Sequence, residues 1–302
     1  MRRGCGWKSG SADRPRGSAR RKYTVRVILS TGTLPSLSPW SALPAGIALL
    51  AYLAAAGSLL KQPSRALQLA WVAHGTAMLA HLFGVGEAGS GARFGFAPAL
   101  SASAWLVVAV YAIESRFVPI DGARRALSGL GVVTILLALA FPGEGVIHPA
   151  SPWAPLHWIL GIASYALFGI AVLHGVLLNR AERAMRAGPR AMLAAATPAG
   201  GLPLLRLEAL TFSFVSAGFV TLSLAVLLGA WFASPWRWDH KSVFSVLGWL
   251  VFASLLLGRQ IFGWRGRRAT RWLYSGAGLL LLAYAGSRFV FEVLLHRTPT
   301  GG

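Results

Sequence analysis

Apolar runs close to 20 residues long recur along this chain, separated by short segments rich in Arg, Gly and Pro. A helix of that length crosses the roughly 30 Å hydrocarbon core of a bilayer. Runs near 40–60, 66–86, 97–116, 126–142, 155–178, 209–232, 242–262 and 271–293 predict eight spans in an all-α, polytopic transmembrane bundle. Composition agrees: charged residues hold 13% of the 302 positions, about half the share in a soluble domain, and mean hydropathy is +0.58. The pattern predicts one membrane domain over residues 40–296 and a short tail at 297–302. An Arg/Ala/Gly/Pro-rich inner segment at about 179–208 reads as a flexible linker with some helical content, dividing five spans from three.

The net charge of +20 raises the question of nucleic acid, and its distribution answers against it. Loops on one side carry fifteen Lys and Arg, whereas the other side has only Arg93, Arg237, Lys241 and Arg297. Such asymmetry is the positive-inside pattern, so the arginine-rich loops face the cytoplasm. Residues 235–241 and the C-terminus then face outward, as expected of a multi-pass protein in a bacterial inner membrane. Residues 1–39 break the rule, with nine Lys and Arg on a terminus that eight spans place outside. That stretch lacks an apolar core and does not read as a signal peptide. It reads as a disordered basic extension or as residues ahead of the true start, and no function attaches to it.

Cys5 is the sole cysteine, so there is no disulfide framework, no CxxC pair and no CxxCH for covalent haem attachment. No nucleophile, acid–base pair or phosphate-binding loop stands out, so hydrolytic chemistry is not expected. The chemistry-bearing residues are histidines and one hinge. His74 and His81 lie seven apart in the second span, on one helical face. Each, like His174, has two readings: a hydrogen bond to a carbonyl or hydroxyl of a neighbouring helix, or a functional group inside the membrane. His148 falls in a Gly/Pro loop and reads as solvated. His157 opens the fifth span and His296 follows the last, both at the outer level.

Pro235-Trp236-Arg237-Trp238-Asp239-His240-Lys241 is a polar, tryptophan-rich hinge between two long apolar runs. Its indoles suit interfacial anchoring. They equally suit a flat shelf for a planar anionic ligand. His157 and His296 at the same level supply what a six-coordinate haem needs, an axial nitrogen on each side of iron. Arg237 or Lys241 could pair with a propionate. Zinc is the weaker alternative: it prefers a compact tetrahedral ligand set, and no HxxxH, HxxE or Cys cluster provides one. Asp239 reads as the N-cap of the next helix, with His240 as an interfacial residue beside it.

These residues resemble the cytochrome c assembly haem-handling family of the CcsA/CcmC type, and within it the short eight-span YpjD/HemX-like inner-membrane subgroup. Trp236 through Lys241 matches WxWDxK of the family's outward motif WxWDPKExW, followed by Phe244 and Trp249. His157-Trp158 through Ser164-Tyr165 is similar to the stretch holding the family's first outward histidine. Gly263-Trp264-Arg265-Gly266-Arg267 matches an inner GWRGR stretch, and Tyr284-Ala285-Gly286 the region before the second outward histidine, here His296. His74 lies where a transmembrane histidine is found. The resemblance implies non-covalent, b-type haem held by His157 and His296. Trp236, Trp238, Asp239, Arg237 and Lys241 would surround it, with His74 as a second, intramembrane ligand. It implies partners among cytochrome c maturation proteins, besides haem and the lipid bilayer. Two departures stand out. His240 and Ser242 replace the motif's Pro and Glu, and Gly258-Arg259-Gln260 replaces a seventh-span histidine. The second departure removes a ligand from the intramembrane site and leaves a haem-free scaffold of the same fold as the alternative. A permease with His74 on its path is a third reading, but no paired Gly/Pro breaks support it.

Overall fold

The computed structural model describes residues 39–57, 62–85, 93–116, 121–145, 153–188, 204–232 and 238–286. Among them are eight α-helices: α1 (Pro39–Ala56), α2 (Pro63–Leu82), α3 (Phe96–Glu114), α4 (Asp121–Ala140), α5 (Ala154–Arg186), α6 (Leu204–Phe232), α7 (His240–Phe262) and α8 (Gly266–Leu281). A π-helical turn, Leu282–Gly286, continues α8. The fold is all-helical, with one helix in each of the eight predicted spans. Its one addition is a two-residue antiparallel pairing of β1 (Arg93–Phe94) with β2 (Glu144–Gly145).

Six helices (α1 and α3 to α7) are long and apolar enough to cross a membrane by length and composition. The other two are more polar, α2 through Gln68 and its histidines and α8 through Arg267, Arg268 and Arg271. Both complete the bundle by packing, α2 against α1 and α3, α8 against α7 and α5. Proline marks several helix starts: Pro63 opens α2 and Pro155 sits in the first turn of α5, where a missing N–H breaks no helical bond. At 33 residues α5 is about 50 Å long, more than the hydrocarbon core requires. It therefore runs into the first part of the expected linker, as far as Arg186. Residues 180–186 are good helix formers, and the Glu182–Arg186 pair one turn apart supports them.

Two cores share α5. In the first, α1 and α2 meet along small side chains, with Ala45, Ala48 and Ala55 on one helix and Ala70, Ala73 and Ala77 on the other, all buried. Inside lipid there is no hydrophobic drive between helices, so close approach along small residues supplies the contact. The second core centres on Phe168 of α5 and Phe252 of α7, stacked with ring centroids 3.8 Å apart. Glycine backs the stack on each side. A Cβ at Gly276 of α8 would lie 2.7 Å from Phe252, and one at Gly218 of α6 would lie 3.0 Å from Phe168. Four helices thus meet in one Gly–Phe–Phe–Gly layer. Outward-facing positions stay apolar, as at Ile47 and Leu50 of α1 and Val220, Leu224 and Leu227 of α6.

Helix contacts define two ends. Arg265 reaches Glu208, and Gly266 lies against the Glu182 carboxylate, so the α5 C-terminus and the starts of α6 and α8 share an arginine-rich end. His157, Ala225 and Lys241 share the opposite, hinge end.

The layer makes a direct prediction. Gly276→Ala should destabilise the protein by about 1–3 kcal/mol through overpacking. Gly278→Ala, with open space at its Cβ, should be neutral or slightly stabilising. Thermal unfolding of the two variants in one detergent separates them.

Candidate functional site

His157 lies in the first turn of α5, its own N–H bonded to the Trp153 carbonyl at 3.2 Å. Its ring is half-buried and rests on Gly229 of α6, where a Cβ would come within 2.9 Å of Cε1. The absence of a side chain there is what lets the imidazole lie flat against α6. Nδ1 is 2.9 Å from the Ala225 carbonyl oxygen. A carbonyl only accepts, so Nδ1 carries the proton and Nε2 carries the lone pair. A backbone or carboxylate partner that fixes one ring nitrogen in this way is the usual support of a metal-ligating histidine.

Helix α7 brings the hinge to the same place. Its first turn carries Lys241, whose charge acts on the His157 ring from a helix 84 residues away in sequence. Trp238 is 69% exposed just before the helix. Asp239 caps α7, accepting from the Ser242 N–H at 2.7 Å and the Ser242 hydroxyl at 2.6 Å. Burial acts to raise its carboxyl, but the Ser242 bonds and the charges of Lys241 and His240 outweigh it and hold the group below its ordinary value. His240 is exposed as the first residue of α7. Trp236, Arg237, His296 and His148 lie outside the described residues, so the hinge is seen only from Trp238 onward.

The other histidines sit in the interior and have partners. His74 Nδ1 is 3.1 Å from the Tyr52 hydroxyl and Nε2 is 2.7 Å from the Ser101 hydroxyl, so both ring nitrogens are engaged. Tyr52 is itself wedged over Gly131, where a Cβ would lie 2.6 Å from its ring. His81 donates through Nε2 to the Pro142 carbonyl at 2.8 Å. His174 donates through Nε2 to the Glu114 carboxylate at 3.1 Å. Sequence reading missed these partners, Tyr52, Ser101, Pro142 and Glu114, because each lies on a different helix or loop from its histidine. Only Glu114, an acid ending an apolar run, carried a signal that could have flagged it.

The surroundings of Arg259 in α7 are also defined. Arg259 lies 3.8 Å from Glu208, and its guanidinium stands 3.5 Å over the Phe212 ring. Arg265 donates to the same carboxylate at 3.0 Å. Arg259 of α7 is thus held against α6 near the arginine-rich end. Among the described residues, no group of three or more His, Cys, Asp and Glu could hold a metal ion.

These features define a class: a multi-pass helical membrane protein with a supported histidine at one bundle end, beside an aromatic and cationic hinge. The particular family follows from the sequence match. The chain belongs to the cytochrome c assembly proteins, whose family profile, described as "Cytochrome C assembly protein", matches residues 40–295. It is similar to the inner membrane protein YpjD of Escherichia coli strain K12, 30% identical over 54% of this chain and 62% of the relative. It is also similar to the cytochrome c biogenesis protein CcsA of Synechococcus sp. strain CC9902, 29% identical over 55% of this chain and 62% of the relative. The CcsA of Thermosynechococcus vestitus is 27% identical over 56% of this chain and 66% of the relative. The matched part thus spans a little under two thirds of these relatives. No solved structure matches the chain.

The depressed Asp239 carboxyl sets a pH dependence. Its cap stabilises the fold above the unfolded value of 3.8, and that contribution is lost as pH falls through the lower folded value. Asp239→Ala should cost about 1 kcal/mol at neutral pH. The variant's deficit against the parent, followed by thermal unfolding, should shrink as the pH is lowered below about 4.

Proposed function

We propose that this protein binds a b-type haem non-covalently at the hinge end of its bundle and handles it at the outer face of the inner membrane during cytochrome c biogenesis. One observation carries the reading: the Nδ1–H bond from His157 to Ala225 puts the ring's lone pair on Nε2, the form a metal-ligating histidine takes. The other donors fit the same group. Lys241 lies near enough for its charge to act on His157, and a propionate is a suitable partner for it. Trp238, with Trp236, supplies the aromatic shelf, and Arg237 a second cation. Asp239 holds the hinge at the start of α7. His296 would be the second iron ligand in this reading. Bound haem would supply an iron centre that takes axial nitrogen ligands. The chain's own residues would hold the plane, neutralise the propionates and fix the tautomer. The relatives named cytochrome c biogenesis proteins support haem as cargo and other maturation proteins as partners. The positive-inside charge bias supports an outward hinge and an outward C-terminus.

Purified protein in mild detergent should show a six-coordinate b-type spectrum, oxidised and dithionite-reduced, with a matching pyridine haemochrome. His157→Ala should abolish or strongly shift that spectrum, and His148→Ala should leave it unchanged. Gly229→Ala should shift it as well, because a Cβ there displaces the His157 ring. Equal and small effects of all three would refute the ligand assignment. Reporter fusions at Lys241 and Arg268 test sidedness and should report opposite faces of the membrane.

A second reading is an assembly or regulatory scaffold of the same fold without haem. The intramembrane position favours it: both nitrogens of His74 are engaged by hydroxyls, and Arg259 stands where the family has a histidine. A colourless protein that fails to take up added hemin would select this reading.

A further inference from the structure

We propose that the arginine-rich end carries a binding site for an anionic phospholipid, its phosphate held in a cleft lined by Arg267, Arg268, Arg271 and Trp272. The cleft is open and encloses about 450 Å³. Three guanidinium groups within five residues of one helix repel one another, and like charges three or four apart weaken a helix. Among the described residues no carboxylate pairs with any of the three. The two nearest acids are engaged elsewhere: Glu208 with Arg265 and Arg259, and Glu182 with Arg186. An anion from outside the chain relieves this repulsion. A phosphate fits best, because the planar guanidinium fork matches its oxygens.

The surroundings select a lipid over a soluble phosphate. The rings of Trp264 and Trp272 lie 5.2 Å apart, and Phe262 stacks on Trp264 at 6.3 Å. Arg268 sits 4.2 Å over the Trp264 ring, so the basic and aromatic surfaces are one. This aromatic path leads from the cleft to Phe262, Ile261 and Leu257, which are 72%, 68% and 54% exposed on the outer surface of α7. A charged head and an apolar tail therefore find adjoining surfaces, with tryptophan at the boundary where membrane proteins concentrate it. Basic pockets at helix ends recognise acidic headgroups by this combination. General basicity does not account for the site. Arg183 and Arg186 lie at the same end, but Arg183 bonds the Asn179 carbonyl and Arg186 pairs with Glu182.

The test uses the full chain purified in an uncharged detergent, titrated with phosphatidylglycerol or phosphatidylcholine of identical acyl chains. Native mass spectrometry reads retained lipid, and thermal unfolding reads stabilisation. Phosphatidylglycerol should be retained and should raise the unfolding temperature more than phosphatidylcholine. Each of Arg267→Gln, Arg268→Gln and Arg271→Gln should weaken its binding about fivefold. The pair Arg183→Gln and Arg186→Gln should leave binding unchanged. Equal retention of both lipids overturns the proposal, as does an equal loss in the α5 pair. Stabilisation by inorganic phosphate alone, at the same phosphate concentration, overturns the lipid assignment. Should any of the three variants not fold, the remaining ones and the salt dependence of the parent decide. The preference for phosphatidylglycerol should fade at high salt, and a salt-independent preference counts against the cleft.

Discussion

The stack of Phe168 on Phe252, backed by Gly218 and Gly276, is the contact on which the second half of the bundle depends. Helices in lipid satisfy their backbone bonds internally, and lipid tails are as apolar as any side chain, so association rests on close fit. Two flat rings between two glycines bring α5, α6, α7 and α8 into register at one level. The first half uses the same device on a smaller scale, with alanine faces between α1 and α2 and Tyr52 wedged over Gly131. Everything that positions the hinge end follows from this register. His157 can rest on Gly229 and reach Ala225 only because α5 and α6 are held at that spacing.

Polar groups inside the bundle fall into two kinds. Most are consumed by structure. Trp71 and Trp105 stack at 4.8 Å and each donates to the other's carbonyl, tying α2 to α3. Tyr165 of α5 donates to the Leu280 carbonyl of α8 at 2.6 Å, and Trp249 of α7 donates to Ser223 of α6 at 2.8 Å. His74, with a hydroxyl on each side, belongs with this group by geometry. His157 and His81 are each bonded to a carbonyl that can only accept, so the bond sets the tautomer as well as the ring's position, and His157 stands in addition beside the charge of Lys241. His157, held by the Ala225 carbonyl and exposed to the charge of Lys241, links α5, α6 and the start of α7 at the hinge end.

The opposite end is organised by charge. Glu208 and Glu182 are the acids that α6 and α5 offer to the many arginines there, and they engage Arg259, Arg265 and Arg186. Arg259 is held by that network and by the face of Phe212. Arg259 and Arg265 form with Glu208 an ion-pair cluster at this end, while His157 and Lys241 lie at the other.

Hydrophobic run length determined much of this protein's fold from the sequence by itself. A helix must span a fixed thickness of hydrocarbon, so the number of spans and their approximate limits are local properties. The hinge was legible for a similar reason, since tryptophans and charges between two spans have few places to be. The resemblance in residues 236–241 and 263–268 was local too. Which side chains meet was decided only in three dimensions. His157 and Lys241 are 84 residues apart, and Tyr52, His74 and Ser101 come from three helices. The pairing of His174 with Glu114, and of Arg259 with Glu208, depends on helix rotation, which glycine contacts set. Periodicity fixes a face along one helix, but the partner of that face is chosen by the fit of rings to glycines between helices, a property that no single stretch of sequence contains.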